Sequence, residues 1–242
     1  YADKISQFAI DCNTASGGAT ISRLSEVFDA IFIDEFQDLA GWDLEFVELL
    51  LTSLIEITLV GDPRQTIYLT NHSAKNSRYQ GIGILEKVDK WVKRGLCDVD
   101  RRAESFRSNQ SICDFSDKLW PSLPPTTSRN LTMTGHDGVF TVSWADLSSY
   151  VERYQPTVLR YSRRTTEFSD RAINFGDAKG CTYDRVVILP HGPIEKYLSD
   201  GHLKHIEKSS ERFYVALTRA RFSCAIVYDQ TTSHGLTRWD PI

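Results

Sequence analysis

Ala30-Ile31-Phe32-Ile33-Asp34-Glu35-Phe36-Gln37-Asp38 runs from four apolar residues straight into acids. A short, unbroken apolar run is how a strand of a parallel sheet reads, because such a strand is buried on both faces. Downstream, Leu44, Val47, Leu51 and Leu54 recur at helical spacing and predict an amphipathic helix over 42–55. Ile57-Thr58-Leu59-Val60 is a second apolar run, and it ends in Gly61-Asp62-Pro63. Strand, helix and strand make a βαβ unit whose two strands lie parallel in one sheet. Ligands of such sheets bind beyond the carboxyl ends of the strands, which is where residues 34–38 and 61–65 fall.

On the N-terminal side, Ser6 to Cys12 reads as the end of a helix. Asn13 to Thr20, NTASGGAT, reads as a Gly/Ser loop. Its glycines do not make a phosphate loop: GxxxxGK[ST] needs a lysine for the phosphates and a Ser/Thr for magnesium, and neither follows. On the C-terminal side, 70–81 reads as a loop, Ile84 to Trp91 as a helix, 97–100 as a short strand and 108–120 as a helix. Pro121, Pro124 and Pro125 then break the chain. Strands are predicted at Val139–Trp144, Thr157–Tyr161, Arg185–Leu189 and Cys224–Tyr228, with a helix over Glu207–Arg219. The chain is therefore α/β, with parallel sheets flanked by helices and a second α/β layer after the first.

With 242 residues, 41% hydrophobic and 25% charged, the chain has material for a sizeable core, which excludes a wholly disordered protein. No run of about 18 apolar residues is present, so no membrane span is expected. The five cysteines are odd in number and lack a CxxC pair. They read as reduced thiols of a cytoplasmic protein rather than as a disulfide framework or a zinc site. The chain starts at Tyr1 and its single methionine is Met133, which reads as a fragment. Net charge is -4, unevenly spread: residues 1–100 carry 9 Lys+Arg against 16 Asp+Glu, residues 101–242 carry 19 against 16. An anionic ligand would therefore meet its arginines in the second part. His202 and His205, three apart with no third ligand, read as a surface pair, and Trp42 and Trp91 as core residues.

Three groups of residues carry chemistry. Asp34 at a strand end offers the carboxylate oxygen that a nucleotide's magnesium takes, and the adjacent Glu35 can accept a proton from an attacking water. Gln65, in GDPRQTIY after the second strand, can hydrogen-bond both a phosphate and that water. Arg107 in SFRSN and Arg219 in YVALTRAR offer the planar forks that stabilise γ-phosphate oxygens.

In order along the chain, IFIDEFQD (31–38), VGDPRQTIY (60–68), SFRSNQSI (105–112), TVLRYSRR (157–164), GDAKGCTYDRVVIL (176–189) and ERFYVALTRAR (211–221) resemble the successive motifs of the UvrD/Rep-type DNA helicases of superfamily one. The first is similar to the Walker B variant, motif II, and the last closely to motif VI. The resemblance implies residues 1–95 as the C-terminal part of a first RecA-like motor domain and 96–242 as a second. ATP would lie between them, with single-stranded DNA across their tops. It implies Asp34 holding Mg2+, Glu35 as catalytic base, Gln65 as γ-phosphate sensor, and Phe106 stacking on the adenine. Arg107 and Arg219 would be γ-phosphate contacts, and Lys179-Gly180 part of the nucleotide site.

The chain also departs from the family. A Walker A lysine occurs nowhere in it, so ATP turnover is expected to need a P-loop segment supplied in cis or as a separate chain. The fragment alone is expected to be inactive. After Tyr68 the family carries an aromatic, an arginine and a glycine that grip a DNA base; here Leu69-Thr70-Asn71-His72 follow. Gly176 and Thr182 replace a His and a ribose-binding Glu, and the large insert between motifs IV and V is absent. The alternative to a motor is a degenerate helicase-like module that binds DNA or docks on a partner such as a nuclease.

Overall fold

A computed structural model describes residues 4–163 and 170–241. Arg164, the last residue of TVLRYSRR, lies outside the described residues. The chain divides into two compact units, Tyr1–Arg101 and Arg102–Ile242.

The first unit runs α1 (Ile5–Ala15), α2 (Ala19–Val27), β1 (Ala30–Ile33), α3 (Trp42–Leu51), β2 (Glu56–Leu59) and α4 (Ile84–Lys93). Strands β1 and β2 are parallel, in register from Ala30 opposite Glu56 to Ile33 opposite Leu59, as a βαβ unit requires. The helices cover one face. Ile33 and Leu59 pack against a cluster of Phe36, Leu44, Val47, Tyr79, Ile84 and Trp91. The other face differs from the expectation of two buried faces: Phe32 is 76% and Val60 55% exposed. An apolar run therefore does not by itself bury both sides of a strand.

Two local expectations also change. The predicted loop 13–20 shrinks to residues 16–18: α1 continues to Ala15, and α2 begins at Ala19 after Gly17 and Gly18, both at positive φ. The helix predicted to 55 ends at Leu51. Beyond it Thr52 and Ser53 fold their hydroxyls onto the carbonyls of Leu49 and Leu50, and local capping of that kind stops a helix.

The second unit contains β3 (Glu104–Ser105), α5 (Gln110–Asp117), β4 (Thr127–Ser128), β5 (Gly138–Val142), α6 (Leu147–Tyr154), β6 (Thr157–Arg160), β7 (Ile173–Asn174), β8 (Tyr183–Leu189), α7 (Gly192–Asp200), α8 (Ser210–Thr218), β9 (Ala220–Val227) and β10 (Thr237–Arg238). Six strands form one sheet in the order β10-β5-β9-β8-β6-β7, and every pairing is parallel. Alternation along the central strands sends Val187, Leu189, Ala225 and Val227 to one face, where Leu147 and Tyr150 of α6 pack. Val186, Ile188, Cys224 and Ile226 point to the other, against α5, α7 and α8. The predicted strand at 97–100 does not form; the short pairing of β3 with β4 lies later. Like α2, two helices of this unit had no counterpart in the sequence reading. Helix α6 shows apolar residues at 147, 150, 151 and 154, and α7 opens with Pro193 in its first turn, so both carried a readable signal. Among the described residues no helix is long and apolar enough to cross a membrane.

Candidate functional site

At the carboxyl ends of β1 and β2 the acids and amides of the first unit form one hydrogen-bonded group. The backbone leaves β1 through Glu35, which sits at φ 53, a conformation that costs a non-glycine residue energy and that turns the following residues back on themselves. Its N–H donates to the Asp34 carboxylate at 2.8 Å. Gln37 is wholly buried: its Nε2 donates to Glu35 at 2.6 Å, while its Oε1 accepts from the Asp62 N–H at 3.1 Å. Asp62 caps the short 3-10 turn Pro63–Gln65, accepting from the Arg64 N–H and, at 2.9 Å, from the Arg64 guanidinium. Its second oxygen accepts from Gln65 Nε2 at 3.0 Å. The strands thus bring Asp34, Glu35 and Gln65 to one edge, as expected, with Gln37 as the tie between the two strand ends.

Gly61 is required there by close approach. A Cβ on it would stand 2.2 Å from Gln37 Oε1 and 2.8 Å from the Phe36 ring. The chain from 66 to 80 makes an excursion tied down by Thr70, whose N–H donates to Asp38 O at 2.9 Å. Asn76 ties it further, donating to Gly41 O and Glu45. It returns so that the turn Gly81–Gly83 lies against Pro63–Gln65. Tyr79 arrives with it, buried, its hydroxyl accepting from Arg78 and from Lys90 at 2.6 Å. The two flanking cations hold that phenol below its ordinary pKa.

In the second unit the segment 105–109 is stitched to 218–222. Arg107 Nη1 donates to Thr218 O at 3.2 Å, Ser108 Oγ to Ala220 O at 2.8 Å, and the Asn109 N–H to Arg221 O at 3.0 Å. Asn109 also caps α5, accepting from the Ile112 N–H at 3.1 Å. Arg219 is 1% exposed and works as a clip. Its Nε donates to Val215 O at 3.2 Å, Nη1 to Cys181 O at 3.3 Å, and Nη2 to Thr218 Oγ1 at 3.4 Å. The turn 176–180 ends at Gly180, φ 80, a left-handed position that suits glycine. Lys179 and Gly180 therefore sit next to the carbonyl that Arg219 holds. Phe106, beside Arg107, is 79% exposed. Arg107 and Arg219 thus meet on Thr218 near the amino ends of β8 and β9, with Phe106 next to Arg107 in the chain and Lys179-Gly180 just before the Cys181 that Arg219 holds.

Gln37 and Tyr79 are the residues that sequence reasoning passed over. Gln37 stood inside the quoted IFIDEFQD. Its role needs the second strand end, 25 residues away, to be visible. Tyr79 stands two residues before Gly81, at the end of the segment 70–81 that reads as a loop.

Residues 11–80 match the family described as UvrD/REP helicase N-terminal domain. A curated relative, DNA helicase II of Haemophilus influenzae, is 25% identical over 118 residues, covering 49% of this chain and 15% of the relative. Among solved structures, arterivirus nonstructural protein 10, a helicase in complex with DNA, is 18% identical over 82% of this chain and 39% of its own, with a TM-score of 0.50. A PRRSV helicase is 22% identical over 81% of this chain and 34% of its own, with a TM-score of 0.46. The chain therefore spans well under half the length of these proteins. The likeness to the arterivirus protein is one of fold. The family match covers the segments IFIDEFQD and VGDPRQTIY of the first unit.

Proposed function

We propose that this chain is the motif II to VI portion of an ATP-dependent helicase or translocase of UvrD/Rep type, acting on single-stranded DNA. The observation that carries this reading is the meeting of Arg107 and Arg219 on Thr218, from segments 111 residues apart. Two guanidinium groups gathered at one edge, with an exposed aromatic beside them, suit a triphosphate carrying a flat base. The acidic edge of the first unit carries a different chemistry. Its donor set is carboxylate oxygen from Asp34 and Glu35, and hard oxygen donors fit Mg2+. Bound there with ATP, Mg2+ would neutralise developing phosphate charge.

The remaining steps belong to the chain's own side chains. Gln37 holds the Glu35 carboxylate, which accepts the proton of the attacking water. Gln65, anchored through Asp62, orients that water. Arg107 and Arg219 reach the γ-phosphate oxygens. For Arg219 this requires release of its carbonyl contacts, so nucleotide binding and the packing of the 176–182 turn are coupled. Loss of those contacts on binding and their return after hydrolysis is the conformational step that stepping along a strand needs. The arterivirus structure with DNA supports a nucleic-acid ligand. A P-loop-bearing segment, in cis or as a separate chain, completes the site.

The test joins the chain to a GxxxxGK[ST] segment and measures ATP turnover with and without single-stranded DNA. DNA-stimulated turnover is expected, and Glu35→Gln is expected to lower it by about 100-fold or more, the usual scale for a lost general base. Unchanged turnover in Glu35→Gln would remove Glu35 from its role. Failure to bind either ATP or oligonucleotide would favour a docking module.

A further inference from the structure

The carboxyl edge of the six-stranded sheet, opposite the end where the arginines gather, carries a crevice. Strand β5 is followed by α6 on one face of the sheet, and β8 by α7 on the other. Between β5 and β8 lies β9. The two connections therefore leave to opposite faces on either side of β9. In an open parallel sheet, a divergence of this kind opens a crevice beyond the strand ends, where ligands bind. The crevice is present: a cavity of about 320 Å3 lined by Trp144 after β5, Glu195, Lys196 and Ser199 of α7, and the end of β9 through Gln230.

Its volume is at the small end of the range of about 300–1,000 Å3 usual for small-molecule sites. Its lining is specific. Trp144 is 38% exposed and its backbone N–H donates to the Asp229 carboxylate at 3.0 Å, which ties the β5 exit loop to the β9 end. A partly open indole offers a stacking face, Lys196 an ammonium, and Glu195 and Asp229 carboxylates that accept from hydroxyls. An aromatic face, a cation and hydroxyl acceptors in one crevice suit a base, a phosphate and a ribose in turn.

We propose that this crevice binds a ribonucleoside monophosphate, separately from the edge that carries Phe106, Arg107 and Arg219. The base stacks on Trp144, Lys196 meets the phosphate, and Asp229 or Glu195 accepts from the ribose hydroxyls. Nothing in this assignment depends on ATP hydrolysis, on magnesium or on a P-loop segment, so it stands or falls apart from the motor reading.

The test uses the full 242-residue chain. Photolabelling with 8-azido-AMP, followed by peptide mapping, is expected to mark the segments around Trp144 and 227–230 saturably and in competition with AMP. Calorimetric titration with AMP is expected to give one site that Trp144→Ala weakens by about tenfold or more, in line with the loss of one stacked base. Lys196→Glu is expected to weaken AMP while leaving adenosine unchanged, a split that a merely structural role for Lys196 would not produce. AMP is expected to bind several-fold better than dAMP, which lacks the 2′-hydroxyl. Label confined to 105–107 or 176–182, or no saturable label, would overturn the proposal. So would label displaced by a single-stranded oligonucleotide but not by AMP.

Discussion

Gln37 shows how one buried amide joins two strand ends. It is fully buried, its Nε2 is used by Glu35 and its Oε1 by the Asp62 N–H. Gln37→Leu keeps the volume and removes both bonds, leaving a backbone donor and a carboxylate without that partner. Such a loss costs about 1–3 kcal/mol. The expected outcome is a lowered Tm in thermal denaturation, with the far-ultraviolet spectrum retained; an unchanged Tm would show that the tie carries no stability. Gly61→Ala tests the same place from the other side. The added Cβ would meet Gln37 Oε1 at 2.2 Å and the Phe36 ring at 2.8 Å, so the turn must shift. Destabilisation by about 1–3 kcal/mol is expected from such overpacking, read as a shift in the urea midpoint.

Elements of the first unit are locked by charge as well as by packing. Glu48 on α3 accepts from Lys87 Nζ at 2.7 Å, from Trp91 Nε1 at 2.8 Å and from Arg94, all carried by α4 or the residue after it. Burial raises its pKa, but the three donors together outweigh burial and bring it down to about 2. The carboxylate is thus more acidic in the fold than when unfolded. Its contribution is complete above pH 4.5 and is lost as pH falls from there towards 2. Glu48→Gln is expected to lower Tm at neutral pH and to flatten its fall over that acid range, measured by melts across pH.

In the second unit the sign of the charge is reversed. His136 is stacked between Phe140 and Tyr154 and hydrogen-bonded to the Tyr150 hydroxyl at 2.8 Å. Burial, with the nearby Arg185 charge, pushes its pKa down to about 4. The fold keeps this ring neutral, while the unfolded chain protonates it near 6.5. Stability is therefore complete above pH 6.5 and declines as pH falls from there to 4. His136→Phe keeps a flat ring and removes the proton. Its melts are expected to fall less steeply between pH 6.5 and 4.5 than those of the parent chain, whereas an unchanged slope would assign the acid sensitivity there to another group.

At the scale of the whole molecule, the order of elements was legible because hydrophobic period and turn chemistry are local. The apolar runs at 30–33, 57–60 and 185–189 became β1, β2 and β8 with shifts of one or two residues, and Trp91 is buried as expected. The carboxylates and arginines of the proposed site were named from the sequence because phosphate chemistry restricts which side chains could serve it. What the residue order could not convey was which groups meet. Arg219 read as a γ-phosphate contact; the fold buries it against carbonyls supplied by α8 and the 181 turn. The crevice beyond β9 has no sequence motif at all, because it is made where two crossovers leave a sheet on opposite faces. Periodicity acts over a few neighbours and so is written in the chain. Carbonyl acceptors 38 residues away, or the exit direction of a helix, exist only once strand order places them side by side.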